Sequence, residues 1–248
     1  MMKKSINILA CTILLFVCSI NIKAQILEYS VELGVNAGGS MPVPFPNEIR
    51  EIQKWQPEWF APHIAMETLY KFNDRFGIAV QMAFDRKGFT VVSRVKSMYS
   101  EIKTEGGVLN TGNFTGKNTM RVQNSYLSIP VFAVICYNRW KSGLGLYAAY
   151  CTHASFKGKA DDGYIRIGNP TGEQIEIQSA HFDFSQNINR PDFGLLLFTR
   201  RQCSRNLAIT VEAGCGLSAV FSSEFSALPF GMRNICIMTG INYSVSVN

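Results

Sequence analysis

The stretch RNICIMTGINYSVSVN, residues 233–248, alternates its side chains with a period of two. One face is almost entirely apolar and carries Ile235, Ile237, Thr239, Ile241, Tyr243, Val245 and Val247. The other face carries mostly small or polar side chains. A period of two is that of a β-strand, so the stretch predicts a strand with one apolar face. We expect lipid to cover that face, and the strand to close a transmembrane β-barrel.

The same alternation recurs upstream, and no segment after the first 24 residues has the long unbroken apolar run of a membrane helix. We predict seven further strands, at residues 28–37, 63–72, 76–85, 122–137, 143–151, 190–200 and 207–218. Pro130 lies inside one of them and weakens that assignment, because proline cannot donate a ladder hydrogen bond. The expected fold is therefore all-β, an eight-stranded antiparallel up-and-down transmembrane barrel.

The predicted connections alternate between long and short. The long ones span residues 38–62, 86–118, 152–189 and 222–232, and the short ones lie at 73–74, 138–142 and 201–206. Long extracellular loops and short periplasmic turns are typical of outer-membrane barrels with an even number of strands. The Gly/Asn/Thr-rich tract GGVLNTGNFTGKNT, within the second long connection, predicts a mobile loop because little in it can pack.

Charged residues avoid the predicted apolar faces. The opposite faces carry Glu28, Glu32, Glu67, Lys71, Asp85, Arg190, Asp192 and Glu212. Arg or Lys on a lipid-facing surface near the midplane would cost about 2–4 kcal/mol. We therefore expect apolar side chains outside and charges inside, the reverse of a soluble lipocalin-like barrel.

The N-terminus has the features of a signal peptide. Lys3 and Lys4 precede an apolar run, and cleavage is expected after Ala24, which leaves residues 25–248 as the barrel domain. Removing residues 1–24 takes away three lysines and no acid, so the formal net charge falls from +6 to +3. That charge gives no indication of nucleic-acid binding.

The inside of an eight-stranded barrel is narrow enough to be filled by side chains. We predict a polar network there, composed of Glu32, Glu67, Lys71, Arg190 and Glu212. Unpaired charges in such a place would be costly, so pairing is expected. A proton or ion path along the same residues is the alternative.

The sequence predicts no catalytic, cofactor-binding or metal-binding residues. It contains no G-x-S-x-G, H-E-x-x-H or phosphate-loop motif, and its cysteines lack metal-ligand spacing. The cysteines are expected to be small buried or lipid-facing side chains rather than disulfide partners. His63, His153 and His181 fall at strand ends or in predicted loops, where solvated histidines are expected.

Five segments together resemble the PorT-like outer-membrane β-barrel family of Bacteroidetes bacteria. They are Ala24-Gln25, residues 84–89 (FDRKGF), residues 126–130 (YLSIP), residues 191–194 (PDFG) and residues 240–243 (GINY). The resemblance covers essentially all of residues 25–248 and implies an outer-membrane location. One namesake of the family is associated with protein secretion, and no residue-level activity carries over.

Three functional hypotheses follow. The first is a non-enzymatic outer-membrane barrel, with a structural role or binding a partner through its loops or through basic periplasmic turns carrying Arg139, Lys141, Arg200, Arg201 and Arg205. The second is a narrow porin-like channel for small solutes or ions, and the third a lipid-modifying barrel enzyme that uses one of the histidines. Expected partners are outer-membrane lipid, the barrel-assembly machinery and an envelope or secretion-system protein.

Overall fold

The computed structural model describes residues 26–58, 60–103, 109–169, 171–225 and 227–247. The predicted signal peptide lies outside these ranges. The strands within them are β1 (Ile26–Pro42), β2 (Ile49–Pro57), β3 (Pro62–Lys71), β4 (Phe76–Lys103), β5 (Leu109–Tyr137), β6 (Trp140–Ile167), β7 (Gln174–Asp183), β8 (Pro191–Gln202), β9 (Leu207–Gly216) and β10 (Met232–Val247). A single 3₁₀ turn is described between β7 and β8. No helix in the described ranges is long and apolar enough to cross a membrane.

Eight strands close into a ring in the order β1, β3, β4, β5, β6, β8, β9, β10 and back to β1, with every neighbouring pair antiparallel. The seam joins β1 to β10, with a continuous register from Leu27↔Val247 to Pro42↔Met232. The eight-stranded antiparallel barrel predicted from the alternation is confirmed. Its last strand pairs with its first, as residues 233–248 indicated.

The apolar faces point outward and the charged faces point inward. Leu33 and Leu146 are 58% and 62% exposed on the outer surface, whereas Glu32 and Arg200 are 1% and 2% exposed. An outer surface of this kind is stable in lipid and would be unfavourable in water. The predicted distribution of polarity is therefore confirmed.

The prediction of a long connection at residues 86–118, with a mobile loop in the tract at 106–119, is wrong for the described parts of these segments. β4 continues to Lys103, β5 begins at Leu109, and the two pair well beyond the barrel. β6 likewise extends to Ile167, β7 pairs with that extension, and β2 pairs with the extension of β4. We call β2, β7, and residues 88–103, 109–123 and 154–167 the projecting sheet.

The projecting sheet is ordered because it has a core of its own. Val95, Met98, Phe114, Ile165 and Ile177 are buried against one another on one of its faces. The Gly/Asn/Thr-rich tract contributes Phe114 to this core, and Met120, which follows the tract on the same face, is buried in the cluster that continues into the barrel. Neighbouring strands supply the backbone hydrogen bonds and the apolar contacts that the tract lacks by itself.

Pro130 is accommodated by a gap in one ladder. β4 and β5 keep one register on both sides of it, but the pairs of Gln81 and Met82 with β5 are missing. On its other side Pro130 still pairs in register with Tyr147 of β6. The strand therefore continues through the proline with the local loss of hydrogen bonding that the missing N–H requires.

Candidate functional site in the barrel interior

Arg200 on β8 lies at the centre of the polar interior. Its Nη2 is 2.7 Å from Glu32 Oε2 on β1, and its Nη1 is 2.8 Å from Glu67 Oε1 on β3. All three residues are at least 96% buried. One guanidinium thus joins two carboxylates across the lumen, a charge-assisted arrangement that fixes the positions of both acids.

Neutral polar side chains complete the hydrogen bonding around these acids. Gln81 donates to Glu67 Oε2 at 2.7 Å, and Asn242 donates to Glu32 Oε2 at 3.1 Å. Thr210 accepts a hydrogen bond from Arg200 Nε and donates to Glu32 Oε2, both at 3.1 Å. These partners lower the cost of burying three charges in a narrow lumen.

A second ion-pair group lies toward the short-turn end of the lumen. Glu28 on β1 is paired with Lys71 on β3, at 3.0 Å between Oε2 and Nζ, and with Lys141 on β6 through its other oxygen. Glu28 is 3% exposed. The buried charge of Glu28 at this end of the interior is thus paired with two lysine ammonium groups.

A third group lies toward the long-connection end. His63 Nδ1 is 2.7 Å from Asp85 Oδ1, and Asp85 also accepts hydrogen bonds from Asn36 at 3.2 Å and Ser128 at 3.1 Å. The other ring nitrogen of His63 is 3.9 Å from Glu32 Oε1. Neither of these two atoms has a hydrogen-bond partner among the described residues. A bridging water would satisfy both atoms.

The mouth above these groups is lined by aromatic side chains. Lys87 lies over the rings of Tyr126 and Tyr147, at 5.1 and 5.4 Å from their centroids. Tyr147 donates to Asp192 at 2.9 Å, and Asn234 donates to Asp192 at 2.9 Å and to Tyr126 at 3.0 Å. Cation–π contacts therefore hold the buried lysine against two tyrosines, whose hydroxyl groups belong to one hydrogen-bond network with Asn234 and Asp192.

The wall formed by β5, β6 and β8 fills its part of the lumen with apolar side chains. Phe132 and Phe198 pack edge to face, with centroids 4.9 Å apart. A Cβ at Gly143 would lie 2.3 Å from the Phe198 ring, and one at Gly145 would lie 2.5 Å from the Phe132 ring. Both glycines face inward, so they provide the space these rings occupy.

The structure places four of the five predicted network residues in the interior. Glu32 and Glu67 share Arg200, Lys71 pairs with Glu28, and Glu212 is buried on β9 near His63. The placement of Arg190 was predicted wrongly. It precedes β8, is exposed, and donates to the Cys151 carbonyl at 3.2 Å.

Sequence reasoning missed the central cation and one terminal cation. Arg200 and Lys141 were assigned to basic periplasmic turns, but both point inward and are paired with acids. The sequence could have predicted the inward position of Arg200. Arg200 is eight residues from Asp192 on β8, and residues an even number apart on a strand lie on the same face.

The histidines and cysteines have mixed environments. His63 is buried in the third group rather than solvated, which corrects the prediction, whereas His153 and His181 are exposed. Cys136, Cys151, Cys203, Cys215 and Cys236 are free thiols. Within the described ranges, no three His, Cys, Asp or Glu side chains are grouped to hold a metal ion.

A lipid-facing ring of eight antiparallel strands around a paired polar interior defines the class: this is an outer-membrane β-barrel protein. Residues 23–222 match the family model described as outer membrane protein beta-barrel domain, and the chain belongs to that family. Its location is the outer membrane, in contact with lipid. A search of curated proteins found no match.

Solved structures that align with this chain include Ail, the attachment invasion locus protein of Yersinia pestis, in complex with the heparin analogue sucrose octasulfate. That alignment has 13% identity, covers 88% of this chain and 99% of Ail, and has a TM-score of 0.37. Neisserial surface protein A is 8% identical over 88% of this chain and 95% of its own, with a TM-score of 0.29. The outer membrane protease OmpT of Escherichia coli is 10% identical over 92% and 100%, with a TM-score of 0.34.

Proposed function

We propose that this protein is a non-enzymatic outer-membrane barrel that uses its projecting sheet to bind an envelope partner. The observation that carries the proposal is the amount of ordered chain beyond the barrel. Strands β4, β5 and β6 each span 28 or 29 residues, whereas β8 and β9 span 12 and 10. The extra length forms a sheet with a separate apolar core, and ordered surfaces of this kind suit protein recognition.

The resemblance to the PorT-like family of Bacteroidetes makes a protein of the envelope or of a secretion system the partner that we propose. The projecting sheet is a better candidate for the contact than the short turns. Two of the five basic residues assigned to those turns, Lys141 and Arg200, are engaged with carboxylates inside the barrel. The barrel-assembly machinery would be a transient partner during insertion.

The burial of His63 supports a non-enzymatic role. A His–Asp pair can serve as a base, but His63 is only 2% exposed and a substrate would have to displace its neighbours to reach it. The Ser128 hydroxyl donates to Asp85 and does not complete a nucleophile–base contact with the imidazole.

A narrow channel is the second candidate. Polar groups follow one another from Glu28 through Arg200 to Asp192, and the unpartnered Glu32 and His63 atoms are sites where ordered water would bind. Protons or small ions would pass only if the ion pairs across the lumen opened. Conductance measurements distinguish this candidate from the first.

Site-specific photo-crosslinking in intact cells tests the partner hypothesis. A photoreactive residue at Tyr99, exposed on the projecting sheet, should capture one specific protein, and the matched position Tyr137 at the short-turn end should not. Both positions carry an exposed tyrosine, so the same photoreactive residue replaces the same side chain in the test and in the control. Recovery of only lipid and general assembly machinery from Tyr99 would refute a dedicated partner on this sheet.

A further inference from the structure

The face of the projecting sheet opposite its core carries an excess of cations. Three rows of cross-strand neighbours run over this face from β2 to β7. They hold Lys54, Arg94, Lys117, Arg121, Lys157 and Lys159, together with Glu51, Asp161, Asp183 and His181. We call this set the basic face. The basic face has six cations and three carboxylates, so its net charge is positive even when His181 is neutral.

Two pairs of cations on the basic face are direct cross-strand neighbours. Arg94 on β4 is in register with Lys117 on β5, and Arg121 on β5 is in register with Lys157 on β6. Like charges directly opposite each other destabilise a sheet. An anion bound between them would remove that repulsion.

The nearby acids neutralise these cations only in part. Glu51 and Asp161 are in register with Arg94 and Lys117, but among the described residues only Lys157 of the four cations forms an ion pair with a carboxylate. Asp161 pairs with Lys159, and Asp183 with Lys157. Exposed pairs contribute little in any case.

Arg121 also borders a cavity of about 310 Å³ with a mixed polar and apolar lining, formed by Gln56, Glu58, Phe60, Thr90 and Gln123 among others. The one carboxylate among these lining residues, that of Glu58, already has partners of its own. Glu58 is paired with Arg86 at 2.7 Å and accepts from Gln123 at 2.7 Å. The cavity therefore has room for an anion beside a free guanidinium.

The basic face continues the lipid-facing surface of the barrel. Phe84 and Leu127 lie on the same side of β4 and β5 as Arg94 and Arg121, in one uninterrupted ladder. Leu127 and Arg121 are six positions apart, about 20 Å along a strand. In outer-membrane barrels the long-connection end lies outside the cell. The headgroup layer around the barrel is thus the first neighbour that this face meets.

We propose that the basic face binds the phosphorylated sugar headgroups of outer-leaflet glycolipids, as in lipopolysaccharide. Guanidinium and ammonium groups both recognise phosphate, and headgroup phosphates stand above the hydrocarbon where this face is placed. The proposal needs only the outer-membrane location and is independent of any protein partner.

The experiment uses the full barrel in phosphatidylcholine nanodiscs, titrated with phosphorylated lipopolysaccharide or with the same lipid after dephosphorylation. The test variant is Arg94→Gln/Lys117→Gln/Arg121→Gln. The matched control, Arg75→Gln/Arg139→Gln/Arg205→Gln, removes the same charge from exposed positions at the short-turn end. Each basic residue near an anionic membrane surface changes binding about fivefold, so the test variant should lose affinity roughly a hundredfold.

Wild type should bind the phosphorylated lipid more tightly, less so at high salt, and the control variant should match it. Equal binding of the dephosphorylated lipid would overturn the proposal, as would equal affinities of the two triple variants. A soluble sulfated oligosaccharide that binds wild type as tightly as the lipid would overturn the headgroup assignment. Heat-modifiable gel mobility verifies folding, and Arg121→Gln against Arg121→Lys repeats the comparison if the triple variant misfolds.

Discussion

Arg200 holds two carboxylates from two other strands in place at the centre of the lumen. Arg200→Met would leave Glu32 and Glu67 buried without their cation. Breaking a buried ion pair from one side costs about 3–5 kcal/mol, and we expect a loss of that order in the free energy of unfolding. Urea unfolding of the barrel from lipid vesicles measures it.

The exposed Arg190→Met is the matched control and should change that free energy by less than about 0.5 kcal/mol. Adding Glu32→Gln and Glu67→Gln to Arg200→Met should restore part of the loss, because the two buried charges are removed. A single Arg200→Met variant as stable as wild type would refute the central role of this arginine.

Arg190 and Arg200 show what parity in a sequence can and cannot predict. Both have the parity of Asp192, so alternation assigns both to the inner face of β8. β8 begins only at Pro191, however, and alternation applies only to residues within a ladder. The position of the strand boundary depends on pairing with β6 and β9, which the single sequence does not reveal.

At the scale of elements, the wall strands keep charge out of the lipid. Leu146 faces outward near the middle of the part of β6 that pairs with β8 in the barrel, and Leu146→Arg should cost about 2–4 kcal/mol in the free energy of unfolding. Ser142→Arg, on the same face close to the short turn, should cost only about 0–1 kcal/mol because the cost falls toward the interface. Unfolding from vesicles compares the two. Equal costs at both positions would contradict the assigned membrane depth.

The outer part of the projecting sheet should unfold separately from the barrel, because the cluster around Phe114 is distinct from the cluster that includes Met120 and Phe156 and continues into the barrel interior. Phe114→Ala removes a fully buried ring, which costs about 3–5 kcal/mol in typical cores. We expect faster proteolysis within residues 88–123 while heat-modifiable gel mobility of the barrel is retained. Limited proteolysis with mass spectrometry of the fragments measures both.

The control for that experiment is Tyr99→Ala, an exposed aromatic position one residue beyond the buried Met98 on the same strand. It should leave the cleavage rate close to that of wild type. If Phe114→Ala instead abolished the heat-modifiable barrel, the sheet and the barrel would be one cooperative unit.

The molecule as a whole is a barrel with a filled interior. Ion pairs cross the polar half, and the Phe132–Phe198 pair occupies the other. We expect no steady conductance from the purified barrel in a planar bilayer, with an open porin as the positive control. Unitary currents that change with Glu67→Gln or Arg200→Met would instead favour the channel hypothesis.

Alternation, together with the charge-free faces and the alternating connection lengths, predicted the ring of eight strands, the polarity of its two faces and the outer-membrane location, because lipid outside and a narrow lumen inside impose opposite preferences on successive residues. It also identified Glu32, Glu67, Lys71 and Glu212 as inward groups. Only the tertiary structure decided which charges meet, since Glu32, Glu67 and Arg200 come from strands distant in sequence. The projecting sheet likewise depended on long-range pairing, which gives a polar tract such as residues 109–119 the neighbours that it needs to be a strand.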